Sequence, residues 1–253
     1  MTDLHLYQTL HLFRGRVRLL DRHVALLDRC SRDLFGRGYA PDLRQLERRI
    51  LAAAAPLHAG DGSLFVRLFV TDAGQERIVP LERSYYEGYA LRSLMPAAVS
   101  LPCDLPLDGY PTPAREAAAA AARCLAARAG CDTALLYGSD GSYHSAEGSP
   151  VAAVHDYTVW LAPERASQPI PETDHRLEAP RSVEYELLAA ASQAAGLRVE
   201  ERPFGPADRK AFDELFWLDY RGITALSQLD GRPLMSLLAE RVAEALEKRF
   251  RKG

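Results

Sequence analysis

The sequence contains very little lysine. Only three lysines, Lys210, Lys248 and Lys252, stand among its 31 basic residues, so arginine supplies most of the positive charge. No lysine precedes Lys210. A lysine amine is the side chain that forms Schiff bases with carbonyl compounds, and this chemistry is therefore excluded from everything before Lys210.

Three further shortages exclude whole classes of protein. The four cysteines form no C-x-x-C pair, and no two histidines have a spacing suited to a metal site, so neither a disulfide framework nor a metal site is expected. The longest stretch of one apolar residue, Ala117 to Ala122, is far too short to span a bilayer, and the first residues lack a signal-peptide pattern. Net charge is −3 with both signs interspersed, which leaves no basic surface for nucleic acid. We expect a cytoplasmic protein.

The alternation of apolar and polar residues predicts two α+β domains joined by a proline-rich linker. We place the small first domain at residues 1–102, the linker at 103–113 and the larger second domain at 114–253. The predicted elements of the first domain are a hairpin over 4–18, a helix capped by Asp21, a helix over 41–56, a hairpin over 63–81 and a strand near 89–99. Those of the second are an alanine-rich helix from Pro113, strands at 133–137, 151–154 and 157–161, a helix over 182–195, strands at 197–202, 212–218 and 223–229, and a closing helix from Pro233.

Two groups of residues resemble a known family. The first is Phe-Arg-Gly-Arg-Val at 13–17 followed by His-Val-Ala-Leu-Leu at 23–27. The second begins with Ala-Gly-Cys-Asp-Thr-Ala-Leu-Leu-Tyr at 129–137 and continues with Asp-Gly at 140–141, Glu-Gly-Ser at 147–149, Glu-Glu-Arg at 200–202, Asp-Glu-Leu-Phe at 213–216 and Asp-Gly-Arg at 230–232. In order and spacing they resemble the fold-type IV pyridoxal-phosphate (PLP) enzymes, which include class-IV aminotransferases, branched-chain aminotransferases and 4-amino-4-deoxychorismate lyases. The resemblance implies an α+β, two-domain, D-amino acid aminotransferase-like fold and a homodimer, with Tyr85, Tyr86 and Tyr89 as candidate interface aromatics.

The resemblance also implies where a PLP site would lie. PLP requires a Schiff-base lysine, an acid beside the pyridine nitrogen and donors for its phosphate. Gap-free counting places the lysine at Pro111, the acid at Ser145 with Glu147 two residues later, and the phosphate-binding arginine at Leu26. The two turns that bind the phosphate in this family correspond here to Ser-Val-Glu at 182–184 and Leu-Asp-Tyr at 218–220. Each contains a carboxylate where the family has a hydrogen-bond donor, and a carboxylate would repel the phosphate.

We therefore predict that the chain has no cofactor and acts as a lyase-type enzyme on a small carboxylated, possibly chorismate-like, metabolite. The candidate catalytic residues are Glu184, Asp219, Ser145 and Glu147, because paired carboxylates in a closed pocket raise one pKa and favour proton transfer. The candidate substrate-binding residues are Arg115, Tyr220 and Arg221.

Two alternatives remain open at this point. The chain could be a non-catalytic binding or scaffold protein, in which these residues tolerate alanine. It could also be an active PLP-dependent aminotransferase or lyase with an atypical site, in which PLP is bound without a Schiff base or through Lys210, Lys248 or Lys252.

Overall fold

A computed structural model describes residues 4–57, 62–84, 90–92, 94–105, 107–164, 167–169, 176–178 and 180–251. Helices and strands alternate along the chain as α+β. The helices are α1 (Leu20–Phe35), α2 (Leu43–Ala54), α3 (Pro113–Arg128), α4 (Val183–Ala194) and α5 (Leu237–Arg251). The strands are β1 (His5–Phe13), β2 (Arg16–Val17), β3 (Leu64–Thr71), β4 (Glu76–Arg83), β5 (Ala90–Arg92), β6 (Ala97–Pro102), β7 (Thr133–Tyr137), β8 (Tyr143–Ala146), β9 (Val151–His155), β10 (Thr158–Leu161), β11 (Ser167–Pro169), β12 (Arg176–Glu178), β13 (Arg198–Glu201), β14 (Glu214–Asp219), β15 (Gly222–Ala225), β16 (Gln228–Leu229) and β17 (Arg232–Pro233).

The chain divides into two compact units, and the division differs from the predicted one. The first unit contains residues 1–88, 109–113 and 166–183, and the second contains 89–108, 114–165 and 184–253. Residues 89–102, assigned to the first domain from the sequence, belong to the second unit because β5 pairs with β15 and β6 pairs with β7 and β16. The predicted single strand near 89–99 is in fact these two short strands, which lie in different sheets.

The first unit is built on an antiparallel four-stranded sheet in the order β2-β1-β3-β4. Strand β1 alternates so that Leu6, Leu10 and Leu12 are buried on one face, and the β1–β3 register places Leu6 opposite Val70 and Leu10 opposite Val66. Helix α1 packs on β1. The predicted hairpin and the predicted strand pair β3–β4 are confirmed.

The two helices of this unit begin in different ways. Asp42 caps α2 as an N-cap residue should, because its Oδ1 accepts a hydrogen bond from the Gln45 backbone N–H at 2.8 Å. The predicted cap of α1 by Asp21 is wrong: the helix begins at Leu20 after Leu19 in the left-handed region, and no side chain caps it. Asp21 lies in the first turn, where its negative charge interacts favourably with the positive end of the helix dipole.

The second unit contains two sheets. A six-stranded sheet has the order β13-β10-β9-β14-β15-β5, and a five-stranded sheet has the order β17-β16-β6-β7-β8. The core between their strands is rich in aromatic side chains, among them Tyr143, Trp160, Phe204, Phe212 and Trp217. The predicted strand Thr133–Tyr137 is confirmed as β7.

A close backbone approach supports this core. A Cβ atom on Gly205 would lie only 1.8 Å from the Gly141 carbonyl oxygen, so only glycine can occupy that position. A backbone hydrogen bond holds strand β8 beside this segment: the Tyr143 N–H donates to the Phe204 carbonyl oxygen at 2.8 Å.

Helix α5 begins later than predicted. Pro233 was expected to start it, but Pro233 pairs with Gln228 in the β16–β17 hairpin, and the helix starts at Leu237. Its first turn is fixed by Glu214 of β14. The buried carboxylate accepts hydrogen bonds from the backbone N–H groups of Leu238 at 2.8 Å and Ala239 at 2.9 Å, which satisfies donors that a helix start leaves unpaired.

Among the described residues, no helix combines the length and the apolar character that crossing a bilayer requires.

Candidate active site

A carboxyl group with an altered pKa lies at the start of α4. Glu184 is in the first turn of this helix and is only partly exposed. Burial, with a smaller contribution from the neighbouring carboxylates Glu164 and Asp219, raises the pKa of Glu184 to about 7, although a hydrogen bond from its own backbone N–H and the Arg115 guanidinium act in the opposite direction. A carboxyl group with a pKa near neutral pH can both donate and accept a proton under ordinary conditions.

Arg115 brings a positive charge to the same place. It lies in the first turn of α3 and is partly buried. Its Nη2 donates a hydrogen bond to the Gly148 carbonyl oxygen at 2.7 Å. Because a guanidinium carries five N–H donors, Arg115 can keep this bond, which fixes its direction, and bind an anion as well.

Asp219 ends β14 and is almost fully buried. Its Oδ2 accepts from Arg221 Nη2 at 2.9 Å and from Nε at 3.2 Å, and its Oδ1 accepts from the Arg221 backbone N–H at 2.7 Å. The Arg221 guanidinium also lies 5.1 Å from the centre of the Tyr220 ring. The structure therefore brings these three predicted residues together in the β14–β15 turn, with Asp219 neutralised by Arg221.

Ser145 lies on β8 in a buried polar cluster of the second unit. Its Oγ is 3.3 Å from His144 Nδ1, and the same ring nitrogen is 3.0 Å from Asp108 Oδ2. The other nitrogen, Nε2, is 2.9 Å from the Cys103 carbonyl oxygen. A Ser-His-Asp triad requires serine and aspartate on opposite nitrogens of the ring, so this cluster does not have the geometry of a triad.

Glu147 lies outside β8, in the tight turn that follows it. Glu147 and Gly148 have φ values of 52° and 75°, and the flanking Ala146 and Ser149 exchange two backbone hydrogen bonds. The Glu147 carboxylate accepts from Arg123 Nη1 at 2.8 Å and from Thr133 Oγ1 at 2.7 Å. These bonds join the turn to α3 and β7, so the carboxylate has a structural function in this arrangement.

Two charged residues, Glu164 and Arg67, were not identified from the sequence. Glu164 follows β10 and acts on Glu184, but no motif marks it. In the first unit, the Arg67 guanidinium lies 4.7 Å from the centre of the Tyr7 ring and 6.0 Å from that of Phe69. The sequence does carry a signal for this contact. Tyr7 and Phe69 are paired on neighbouring strands and therefore project on the same face of the sheet.

The described residues contain no group of three or more histidine, cysteine or acidic side chains that could hold a metal ion.

Comparison of the sequence with family models and with curated proteins gave no match. Solved structures do match. A fold IV-transaminase from Curtobacterium pusillum is 20% identical, with a TM-score of 0.74 over 98% of this chain and 86% of the other. An aminotransferase from Brucella abortus bound to PLP is 18% identical, with a TM-score of 0.75 over 98% and 89%. A candidate 4-amino-4-deoxychorismate lyase from Legionella pneumophila is 12% identical, with a TM-score of 0.73 over 96% and 90%. The chain therefore has the fold-type IV transaminase fold, as its sequence predicted.

These structures contradict the prediction that the chain has no cofactor. The Brucella abortus aminotransferase holds PLP within the same fold, so PLP is the cofactor to be expected of this fold. The residues of this chain fit PLP only in part: Arg115 has N–H donors for an anion, but the Glu184 carboxyl group occupies the start of α4, and no lysine precedes Lys210. Pro111, at the counted position, is buried and accepts from the Tyr7 N–H at 3.0 Å. The described lysines, Lys210 and Lys248, are exposed.

Proposed function

We propose that this chain is an enzyme that acts on a small carboxylated metabolite by proton transfer at Glu184. The observation that carries the proposal is the partly buried Glu184 carboxyl group, whose pKa burial raises to about 7. General acid–base groups work best when their pKa lies near the operating pH. Burial of a carboxyl group also destabilises its charged form, which is a cost that folding alone does not explain.

The substrate class follows from the charges around Glu184. Arg115 is held by Gly148 in a fixed direction and retains N–H donors for a carboxylate. Arg221, held by Asp219, is the second cation that we assign to substrate binding, with Tyr220 beside it. In this arrangement Asp219 positions Arg221, and Glu184 exchanges the proton. A lyase-type elimination suits this arrangement. Glu184 takes a proton from the carbon next to the substrate carboxylate, and the C–H electron pair forms a carbon–carbon double bond. The leaving group departs from the adjacent carbon with the electrons of its own bond and accepts the proton back from Glu184, while Arg115 and Arg221 hold the substrate.

A second candidate is PLP-dependent aminotransferase or lyase chemistry with an atypical site. It is supported by the PLP found in the Brucella abortus aminotransferase. PLP supplies an electron sink for carbanions when it is bound. In this chain Arg115 would contact an anionic group, and the missing lysine before Lys210 requires either non-covalent binding or attachment through one of the three late lysines.

The third candidate, a non-catalytic binding protein, is supported by the carboxylates that already have partners. Asp219 is neutralised by Arg221, and Glu147 by Arg123. The chain is also predicted to form a homodimer, and the tyrosines assigned to that interface, Tyr85, Tyr86 and Tyr89, lie outside the described residues.

One set of measurements separates the three candidates. Chorismate, glutamate and 2-oxoglutarate are incubated with the full chain, with and without PLP, and consumption is followed by mass spectrometry. The variants are Glu184→Gln, Arg115→Ala and, as a matched control, Glu186→Gln, because Glu186 is an exposed carboxylate in the same helical turn. We expect the logarithm of the turnover rate, plotted against pH, to bend near pH 7 in the parent and in the control. This bend should be absent in Glu184→Gln. Arg115→Ala should raise KM more than it lowers kcat.

Other results favour the rivals. Turnover only with PLP, with a covalent adduct after borohydride reduction, supports the second candidate. Ligand-induced thermal stabilisation without turnover, unchanged by Glu184→Gln, supports the third and contradicts the acid–base proposal.

A further inference from the structure

A cleft of about 440 Å³, the hairpin cleft, lies beside the β1–β2 hairpin of the first unit. Small-molecule sites in proteins have volumes of this order. Its wall is formed by the end of β1, the hairpin turn, the start of β3 and the C-terminal end of α2. Most of this wall is apolar, and the large apolar contributions come from Leu12, Phe13, Leu51 and Leu64.

The charge on the wall of the hairpin cleft is positive. Among the described residues of the wall, Arg14 has the only charged or polar side chain. Its guanidinium lies 4.9 Å from the centre of the Phe13 ring, and the guanidinium of Arg18 lies at the same distance from that ring. Within the described part of the chain, Arg14 forms no hydrogen bond or ion pair that would neutralise its charge. An apolar cleft with one cation at its wall is therefore complementary to an apolar molecule with one negative charge.

The backbone at Arg14 is a second, independent observation. Arg14 and Gly15 form the two-residue loop between the paired residues Phe13 and Arg16, and their φ values are 52° and 73°. Two positive φ values define a type I′ turn, whose first position favours Asn, Asp or Gly. An arginine is strained in this left-handed conformation, and its side chain is exposed. The stability of the turn therefore does not explain the arginine, whereas a ligand for its guanidinium does.

We propose that the hairpin cleft binds a small amphipathic carboxylate. Its saturated chain lies against Leu12, Leu51 and Leu64, and its carboxylate accepts two parallel hydrogen bonds from the Arg14 guanidinium. Sugars, nucleotides and free amino acids need several polar partners, and the described wall offers no polar side chain besides Arg14. The cleft belongs to the first unit, whereas Glu184 belongs to the second, so this site does not depend on the acid–base proposal.

Isothermal titration calorimetry of the full chain with octanoate tests the proposal, below the concentration at which octanoate forms micelles. We expect saturable binding of one octanoate per chain. Octan-1-ol and octylammonium keep the same chain but remove or reverse the charge. Both should bind at least about tenfold more weakly, because they lose the charge-assisted hydrogen bonds to Arg14.

Three variants locate the site. Arg14→Asn should weaken octanoate binding at least about tenfold, yet raise the Tm of the ligand-free chain, because Asn-Gly is the sequence that a type I′ turn prefers. Arg16→Ala is the matched control: it removes an exposed arginine of the same hairpin that does not line the cleft, and it should bind octanoate like the parent. Ala55→Trp places a large side chain at an exposed position of the wall and should block the cleft.

Equal affinity for octanoate and octan-1-ol, or unchanged octanoate binding in Arg14→Asn, would overturn the proposal. Equal losses of affinity in Arg14→Asn and Arg16→Ala would also overturn it, since they would show a general effect of positive charge. Sedimentation with phosphatidylglycerol vesicles is the final measurement. The parent should stay in solution, and binding to vesicles without saturable octanoate binding would assign the basic hairpin to a membrane surface instead.

Discussion

Replacing Glu184 by glutamine should make folding stability less sensitive to pH. Glutamine has nearly the same shape as protonated glutamate and cannot ionise, so Glu184→Gln fixes the site in its neutral form. The observation behind the prediction is that burial, aided by the Glu164 and Asp219 carboxylates, raises the pKa of Glu184 to about 7 in the folded chain. In the unfolded chain the same group has an ordinary value near 4.5.

The sign follows from which state holds the proton more tightly. Here the folded state does, so the free energy of unfolding falls as pH rises from about 4.5 to about 7, and the loss is complete above pH 7. One pKa unit corresponds to about 1.4 kcal/mol, so the full loss for Glu184 is about 3 kcal/mol. Glu184→Gln avoids this loss and should be more stable than the parent above pH 7, with little difference near pH 4.5.

The assay is urea unfolding of parent and variant at several pH values between about 5 and 8. We expect the variant's advantage in free energy of unfolding to grow by roughly 2–3 kcal/mol over this range. Other titrating groups contribute equally to both proteins and cancel in the difference. Glu186→Gln is again the control and should follow the parent. A constant difference between Glu184→Gln and the parent across the range would refute the assignment of a raised pKa to Glu184.

Three other predictions follow from single contacts. Gly205→Ala should cost about 4 kcal/mol or more, or prevent folding, because its Cβ would lie 1.8 Å from the Gly141 carbonyl oxygen, and thermal unfolding or the yield of folded protein will measure this. Glu214→Ala should lower the free energy of unfolding by about 2–3 kcal/mol, measured in urea, because it leaves the first N–H groups of α5 buried without their acceptor. Burial lowers the pKa of His11 to about 3 and that of His23 to about 4, so their ring signals in NMR spectra should not titrate between about pH 7.5 and pH 5.5, and a midpoint near 6.5 for either would contradict their burial.

Much of the fold could be predicted because its elements follow local patterns. Strand β7 and the hairpin β3–β4 lie where alternation placed them, and α1 ends at Gly36, a residue type that adopts the required left-handed conformation without strain. The start of α5 could not be predicted in this way. Pro233 has the right local chemistry for a helix start, but its pairing with Gln228 and the cap from Glu214, 24 residues before Leu238, depend on tertiary contacts.

Part of the candidate site could be predicted from the sequence. Glu184, Asp219 and Arg115 could be found because the resemblance placed them at family positions, and the structure brings all three into one electrostatic group. Two sets of side-chain contacts could not be predicted, because no local sequence pattern indicates them. The partners of Glu147 are Arg123 and Thr133, on two other elements, and the fork between Asp219 and Arg221 depends on the conformation of the turn.

The Glu214 contact also bears on the cooperativity of the second unit. Strand β14 lies inside the six-stranded sheet, and within the described residues its buried carboxylate accepts from backbone N–H groups of α5. Before α5 docks, the carboxylate and these N–H groups can bond to water, whereas burying either without the other is strongly unfavourable. The docking of α5 and the burial of this part of β14 should therefore occur in one cooperative step.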